Sequence, residues 1–332
     1  MKLLIISNPA SPGTDYYRTV GPFTRLAKDR PDVLTLDVKS PEAVLWFDIY
    51  QADAVMFQRP NGNQLLGYIQ EAKRMGKKIL FDIDDLLHAI PDSNPAAHHF
   101  EKVRDTITTA LDYCDHLFVS TPTLLRYYSN YLPPQKITMV RNAWNPDDHP
   151  MQEVEAVTKP IRMLWRGSAT HMADLHTIKA ALRIMLKDPA FTTVFCGLPT
   201  WMAFDIPKEN AQFVEWQTLF NYFKLMRESK PHYGFFPLVH DEFNRCKSNI
   251  FALECLWAGA LPIVPAGFPE FDIPGLLTYK SQSDFGEILN EIKAGKVDRV
   301  KRIADARAWV EKNLHLCTLN EARLKVLQNL EL

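Results

Sequence analysis

The sequence predicts an α/β protein made of two parallel-sheet domains in series, and three observations predict it. Short apolar runs alternate with longer helix-like patterns along the chain, as strand–crossover–strand units require. One proline-containing, aperiodic segment (143–160) interrupts the alternation, which then restarts. Each half is about 150 residues, an ordinary domain size.

The first half reads as follows. "KLLIIS" (2–7) is apolar at nearly every position, as a strand covered on both faces must be. "LTLDV" (34–38), "AVMFQR" (54–59), "KKILFDI" (77–83), "HLFVST" (116–121) and "ITMVRN" (137–142) follow the same rule. Between them, 16–28, 63–75 and 100–113 have helical spacing. The second half runs "IRMLWRG", helix 173–187, "TTVFCG", "AQFVEW", helix 217–229, "YGFFPL", helix 248–258, "LPIVPA" and helix 283–294. Helical patterns over 297–313 and 318–330 close the chain. The expected division is a first domain 1–145, a linker 146–160, a second domain 161–312, and a terminal helix 313–332 packing back toward the first domain.

Composition narrows the class. With 46% hydrophobic and 23% charged residues the chain has the balance of a globular protein. No apolar run approaches the roughly 20 residues of a bilayer span, so no stable membrane insertion is expected. The opening "MKLLIISNPASPG" reads as a first strand rather than a signal peptide. Cys114, Cys196, Cys246, Cys255 and Cys317 lack paired or metal-binding spacing, which argues for a reducing cytoplasm and against structural zinc. A net charge of −1 gives no bulk attraction to nucleic acid. "KRMGKK" (73–78) is either a local basic patch or a solvated helix end.

Ligands of parallel sheets gather at strand carboxyl ends and the following helix starts. Four such places carry unusual polar residues. After the first strand, "SNPASPGTDYYR" (7–18) offers Gly13 for close backbone approach, but matches neither GxGxxG nor a P-loop. "FDIDDLLHAI" (81–90) presents Asp82, Asp84, Asp85 and His88. These suit a divalent metal, a phosphatase nucleophile at Asp82 with Asp84, or an acid cluster facing a cleft. The cleft is the favoured reading, with Asp84, Asp85 or His88 handling a proton. "MLWRGSATHMADL" (163–175) ends a strand in Arg166 and turns through Gly167 and Ser168 toward His171. A planar guanidinium there suits a phosphate. In "RCKSNIFALECLW" (245–257), Lys247, Ser248 and Asn249 mark a helix start that attracts anions. Glu254 lies on the helix face of Ile250 and Trp257, where a buried carboxylate needs donors.

In this order, these residues resemble glycosyltransferases of the GT-B fold, especially the large retaining family that uses nucleotide-diphosphate sugars. Arg166 and Asp174 match its second-domain opening, with His171 where Lys is usual. Glu254, Ala258, Gly259, Pro262 and Pro269-Glu270 match its signature, while Cys246 replaces the first of its two Glu. The Lys-Ser variant, "DYYR" and "FDIDD" look most like members from bacteriophages and polysaccharide loci. The resemblance implies two Rossmann-like domains facing a cleft. It also implies a nucleotide-sugar donor, UDP-sugar above others, bound by the second domain. Glu254 would then hold the ribose, and Arg166 with 247–249 the diphosphate, without metal or other cofactor. The acceptor would be a glycan, a lipid-linked sugar or a hydroxymethylated DNA base. A non-catalytic nucleotide-sugar-binding protein is the other reading of the same cleft.

Overall fold

The run Ala54–Gln58 is buried at every residue, so it can sit only inside a sheet covered on both faces. A computed structural model describes residues 1–7, 12–197 and 210–330 and places that run at the centre of the first of two sheets. The first sheet comprises β1 (Lys2–Ile6), β2 (Thr35–Lys39), β3 (Ala54–Gln58), β4 (Lys78–Ile83), β5 (His116–Val119) and β6 (Ile137–Met139). Its helices are α1 (Pro12–Arg18), α2 (Val20–Asp29), α3 (Trp46–Gln51), α4 (Asn63–Arg74), α5 (Ala97–Leu111) and α6 (Pro122–Tyr128). The second sheet comprises β7 (Ile161–Gly167), β8 (Phe191–Gly197), β9 (Ala211–Glu215), β10 (Tyr233–Phe235), β11 (Leu261–Pro265) and β12 (Leu277–Tyr279). With it come α7 (Met172–His176), α8 (Lys179–Lys187), α9 (Leu219–Ser229), α10 (Glu242–Arg245), α11 (Ile250–Trp257), α12 (Gln282–Lys293), α13 (Arg299–Asn313) and α14 (Leu316–Gln328).

Every strand pairing is parallel. The orders are β2-β1-β3-β4-β5-β6 and β12-β11-β10-β7-β8-β9. Both are doubly wound, and each reverses direction once, between β1 and β3 and between β7 and β10. A crevice opens at such a reversal, outside the strand carboxyl ends. The loops after β1, β3, β7 and β10 are therefore the places where each domain can hold a ligand.

Side chains alternate across the first sheet: Leu4, Val55 and Phe81 enter one core, and Leu3, Met56 and Phe118 the opposite one. The second core gathers around Trp165, Phe235, Leu253 and Ile263. Helix α14 crosses back to the first sheet, where Leu324 and Leu327 pack with Leu3 and Phe23. The crossing is pinned by backbone bonds between Trp144 and both Leu314 and Leu316.

Three local differences from the expected pattern have physical causes. The pattern 16–28 is two helices, because Pro22 has no N–H to give the carbonyl of Arg18. The pattern 173–187 also divides, where the Thr177 hydroxyl bonds back to the Asp174 carbonyl at 2.6 Å. Strand β12 and helix α10, at three and four residues, are too short to show a period. Residues 8–11 of the first-strand loop lie outside the described residues.

Candidate functional site

Helix α11 carries Glu254, and a glycine sets its position. A Cβ on Gly234 of β10 would come within 2.4 Å of Cys255 Sγ, so glycine lets the helix lie directly on the sheet. That seats Glu254, only 3% exposed, under the end of β7. Three hydrogen bonds and an ion-pair contact from three side chains hold its carboxylate. Arg166 donates from Nε (3.0 Å) and brings Nη2 to 2.9 Å, Tyr222 donates from its hydroxyl (2.7 Å), and Tyr17 donates from the other domain (3.2 Å). Arg166 also lies over the rings of Phe236 and Phe251. Burial works against its charge, but Glu254 more than compensates and holds it protonated. Tyr17 and Tyr222 are pushed well above the usual tyrosine range, by burial first and by Glu254 second, so both remain neutral donors.

These groups line a cavity of about 450 Å³ between the two domains. Its second-domain wall includes Arg166, Gly167, Ser168, His171, Lys247 and Ser248. Its first-domain wall includes Gly13, Tyr17, Arg59, Asp84 and Asp85. Gly167 is forced: a Cβ would lie 2.6 Å from Trp165 and 3.1 Å from His171. Gly13 has open space around it and sits in the first turn of α1. His171 Nδ1 is 2.9 Å from Asp174, whose other oxygen accepts from Val239 N–H and Asn244 (both 2.8 Å). Burial lowers the His171 pKa against the opposing pull of Asp174, which favours the neutral ring.

The walls are tied together. Lys247 Nζ sits 2.8 Å from Asp85, and Asn249 donates to the Asn142 carbonyl at 3.3 Å. Arg141 donates to Glu270 at 2.9 Å. Arg59 bridges Asp84 and Asp85 (2.9 and 3.1 Å) from a left-handed backbone, φ +45°, that side chains rarely adopt. Burial would raise Asp85, but Lys247 and Arg59 draw it below its ordinary value. Each cation of the cavity, Arg59, Arg166 and Lys247, thus faces a carboxylate.

Most of the sequence-predicted residues converge here, but three readings change. His88 does not line the cavity; it is buried against Tyr128 and Thr108 (both 3.2 Å), and burial lowers its pKa to about 4. Asn249 occupies the start of α11 without capping it, and its side chain turns to the first domain. Asp82, the nucleophile of the phosphatase reading, is sealed: it is 0% exposed and bidentate to Arg18 (2.9 and 2.8 Å). A phosphoester cannot reach it. Sequence reasoning also passed over Tyr17, Arg59, Tyr222 and Trp216, all lining the cavity. Arg59 ends a recognised strand and Tyr17 lies in the noted "DYYR", so each had a positional signal. Trp216 likewise ends the recognised run "AQFVEW", whereas Tyr222 had no signal, because only the folded chain brings α9 beside Glu254.

No family model matches the sequence, and no curated protein matches it. Solved structures do. Anabaena HepE, crystallised with UDP and glucose, has 12% identity and a TM-score of 0.65, covering 99% of this chain and all of that one. An α-glucosyltransferase in complex with UDP-glucose and DNA containing an abasic site has 10% identity and a TM-score of 0.70, over 99% of both chains. The lipopolysaccharide outer core galactosyltransferase WaaB has 14% identity and a TM-score of 0.59, over 98% of this chain and 100% of that one. The chain has the fold these proteins share, GT-B: two Rossmann-like domains facing one cleft.

Proposed function

We propose that the cleft binds a nucleotide-diphosphate sugar against the second domain and transfers its sugar to an acceptor hydroxyl presented by the first. One observation carries this reading. Arg166, Lys247 and the start of α11 converge at the topological reversal of the second sheet, with buried Glu254 directly behind them. Cations and free amides there suit a diphosphate, and Glu254 suits two vicinal hydroxyls of a ribose. UDP is the nucleotide in both the HepE and the α-glucosyltransferase complexes, and supports a UDP-sugar here. Trp216, 70% exposed yet on the cavity rim, offers a ring face beside that end.

The chemistry follows from charge. As the sugar leaves, negative charge grows on the departing diphosphate, and Arg166, Lys247 and the α11 amides stabilise it without a metal. In the structure Lys247 is spent on Asp85 and Arg166 on Glu254. Donor binding exchanges Lys247 from Asp85 to phosphate, and a released Asp85 can accept the acceptor proton. The acceptor classes remain a glycan, a lipid-linked sugar or a hydroxymethylated DNA base. Domain limits of 1–145 and 161–312 fit this division of labour, and five free cysteines fit a reducing cytoplasm.

The test is release of nucleotide from a donor panel, nucleoside diphosphate from UDP-, GDP- and ADP-sugars and CMP from CMP-sugars, by wild type and by Arg166→Ala and Glu254→Ala. Turnover of one donor, lost in both variants, supports the site. Full activity in either variant overturns it, and ligand-induced thermal stabilisation without any turnover returns the protein to a binding role.

A further inference from the structure

The short helix α3 is apolar on the wrong side. Its inward residue is Ile49, fully buried, while Trp46, Phe47 and Tyr50 are 53%, 62% and 67% exposed and the preceding Leu45 is 65% exposed. These four neighbours make up an outward-facing apolar cluster, and none of them lines the cavity. Trp46 packs edge-on against Tyr68, which fixes its ring at the surface. At roughly 200 Å² for a large side chain, the four together expose roughly 500 Å². That is the upper end of what a monomer leaves open, and short of the ~800 Å² per partner of a stable protein–protein interface.

Basic residues rim the cluster. Lys77 Nζ lies 5.5 Å over the Tyr50 ring and donates to the Tyr50 carbonyl. Lys2 donates to Gln51, at the same carboxyl end of the helix, and Lys39 lies 4.0 Å from Asp48 in its first turn. The Asp48 carboxylate is engaged in the helix start, accepting the Leu45 N–H at 2.8 Å. Trp and Tyr at an apolar–polar boundary, with half-buried lysines holding to the helix beside them, match the interface of a lipid bilayer. No helix among the described residues is long and apolar enough to cross a membrane, so such contact is peripheral.

The geometry points to a membrane-surface dock: α3 lies in the headgroup layer of a bilayer containing anionic lipid. Leu45, Trp46 and Phe47 enter the acyl boundary, and Lys2, Lys39 and Lys77 face the headgroups. The dock is separate from the chemistry of the cleft.

Flotation with phosphatidylcholine vesicles, with and without phosphatidylglycerol, tests it on the full chain. The wild type floats with the anionic vesicles, and Trp46→Ser/Phe47→Ser reduces the bound fraction about tenfold or more while its melting temperature is retained. Lys39→Gln/Lys77→Gln weakens binding to the anionic vesicles alone. The proposal is overturned if the wild type binds neither vesicle, or if the double serine variant binds as well as wild type. It is also overturned if the wild type sediments as a dimer that the serine variant converts to monomer, since a second copy then covers the face.

Discussion

The two walls of the cleft use the same materials differently. On the second-domain wall the carboxylate is the buried partner: Glu254, 3% exposed, lines the cavity beside Arg166 and accepts from it. On the first-domain wall two carboxylates face the cavity, and Arg59 and Lys247 reach over to them. One wall therefore presents a cation backed by an acid, and the other presents acids restrained by cations. An anionic donor belongs to the first arrangement and a hydroxyl losing its proton to the second.

Removing Glu254 strikes hardest. Glu254→Ala leaves Arg166 without its carboxylate and two tyrosine hydroxyls without an acceptor, costing about 3 kcal/mol in a denaturation experiment. Donor binding falls with it. Asp85→Asn is the sharper contrast, because Arg59 keeps Asp84 as partner. Turnover should drop about 100-fold, as loss of a proton acceptor predicts. Donor affinity should hold or rise, because Lys247 no longer leaves a carboxylate to reach the phosphate. Equal loss of donor affinity in both variants would erase the distinction between the walls. Lys247→Ala should weaken the donor about tenfold, with a smaller effect at high salt for whatever screened part remains.

Weaker effects lie at the edges of the comparison. His88→Ala should cost about 2 kcal/mol of stability and leave activity within about twofold, because the ring fills a buried site. Glu270, between the domains, has its pKa raised to about 7, by burial against the opposing pull of Arg141. Its folded pKa exceeds its unfolded value, so the native state binds the extra proton between about pH 4.5 and 7 and stability declines as pH rises through that window. Glu270→Gln should flatten that decline by about 2 kcal/mol, read as urea midpoints at pH 5 and 8.

The same contrast explains what could be read from the sequence. The second-domain wall was legible because its residues sit at forced positions: Arg166 at a strand end, Lys247 and Ser248 before a helix, Glu254 on an otherwise apolar face. A carboxylate in such a face demands partners, although it does not name them. Tyr222 lies 32 residues away and Tyr17 lies 237 away. The first-domain wall was only partly legible. Asp84, Asp85 and His88 are neighbours in sequence, yet the chain turns after Asp85 and carries His88 into the core beside Tyr128. Asp82 reads like its neighbours, but strand alternation gives it to Arg18 inside the protein. The sheet order follows from parallel-strand logic only once the crossovers are seen.

Titration calorimetry of UDP-glucose into wild type and Arg166→Ala, in chelator-treated buffer, tests the donor clamp most directly. A clamp built from Arg166, Lys247 and the α11 start predicts metal-free binding by the wild type, weakened about tenfold or more in the variant. Equal affinity in the two proteins, with both folded, would contradict it.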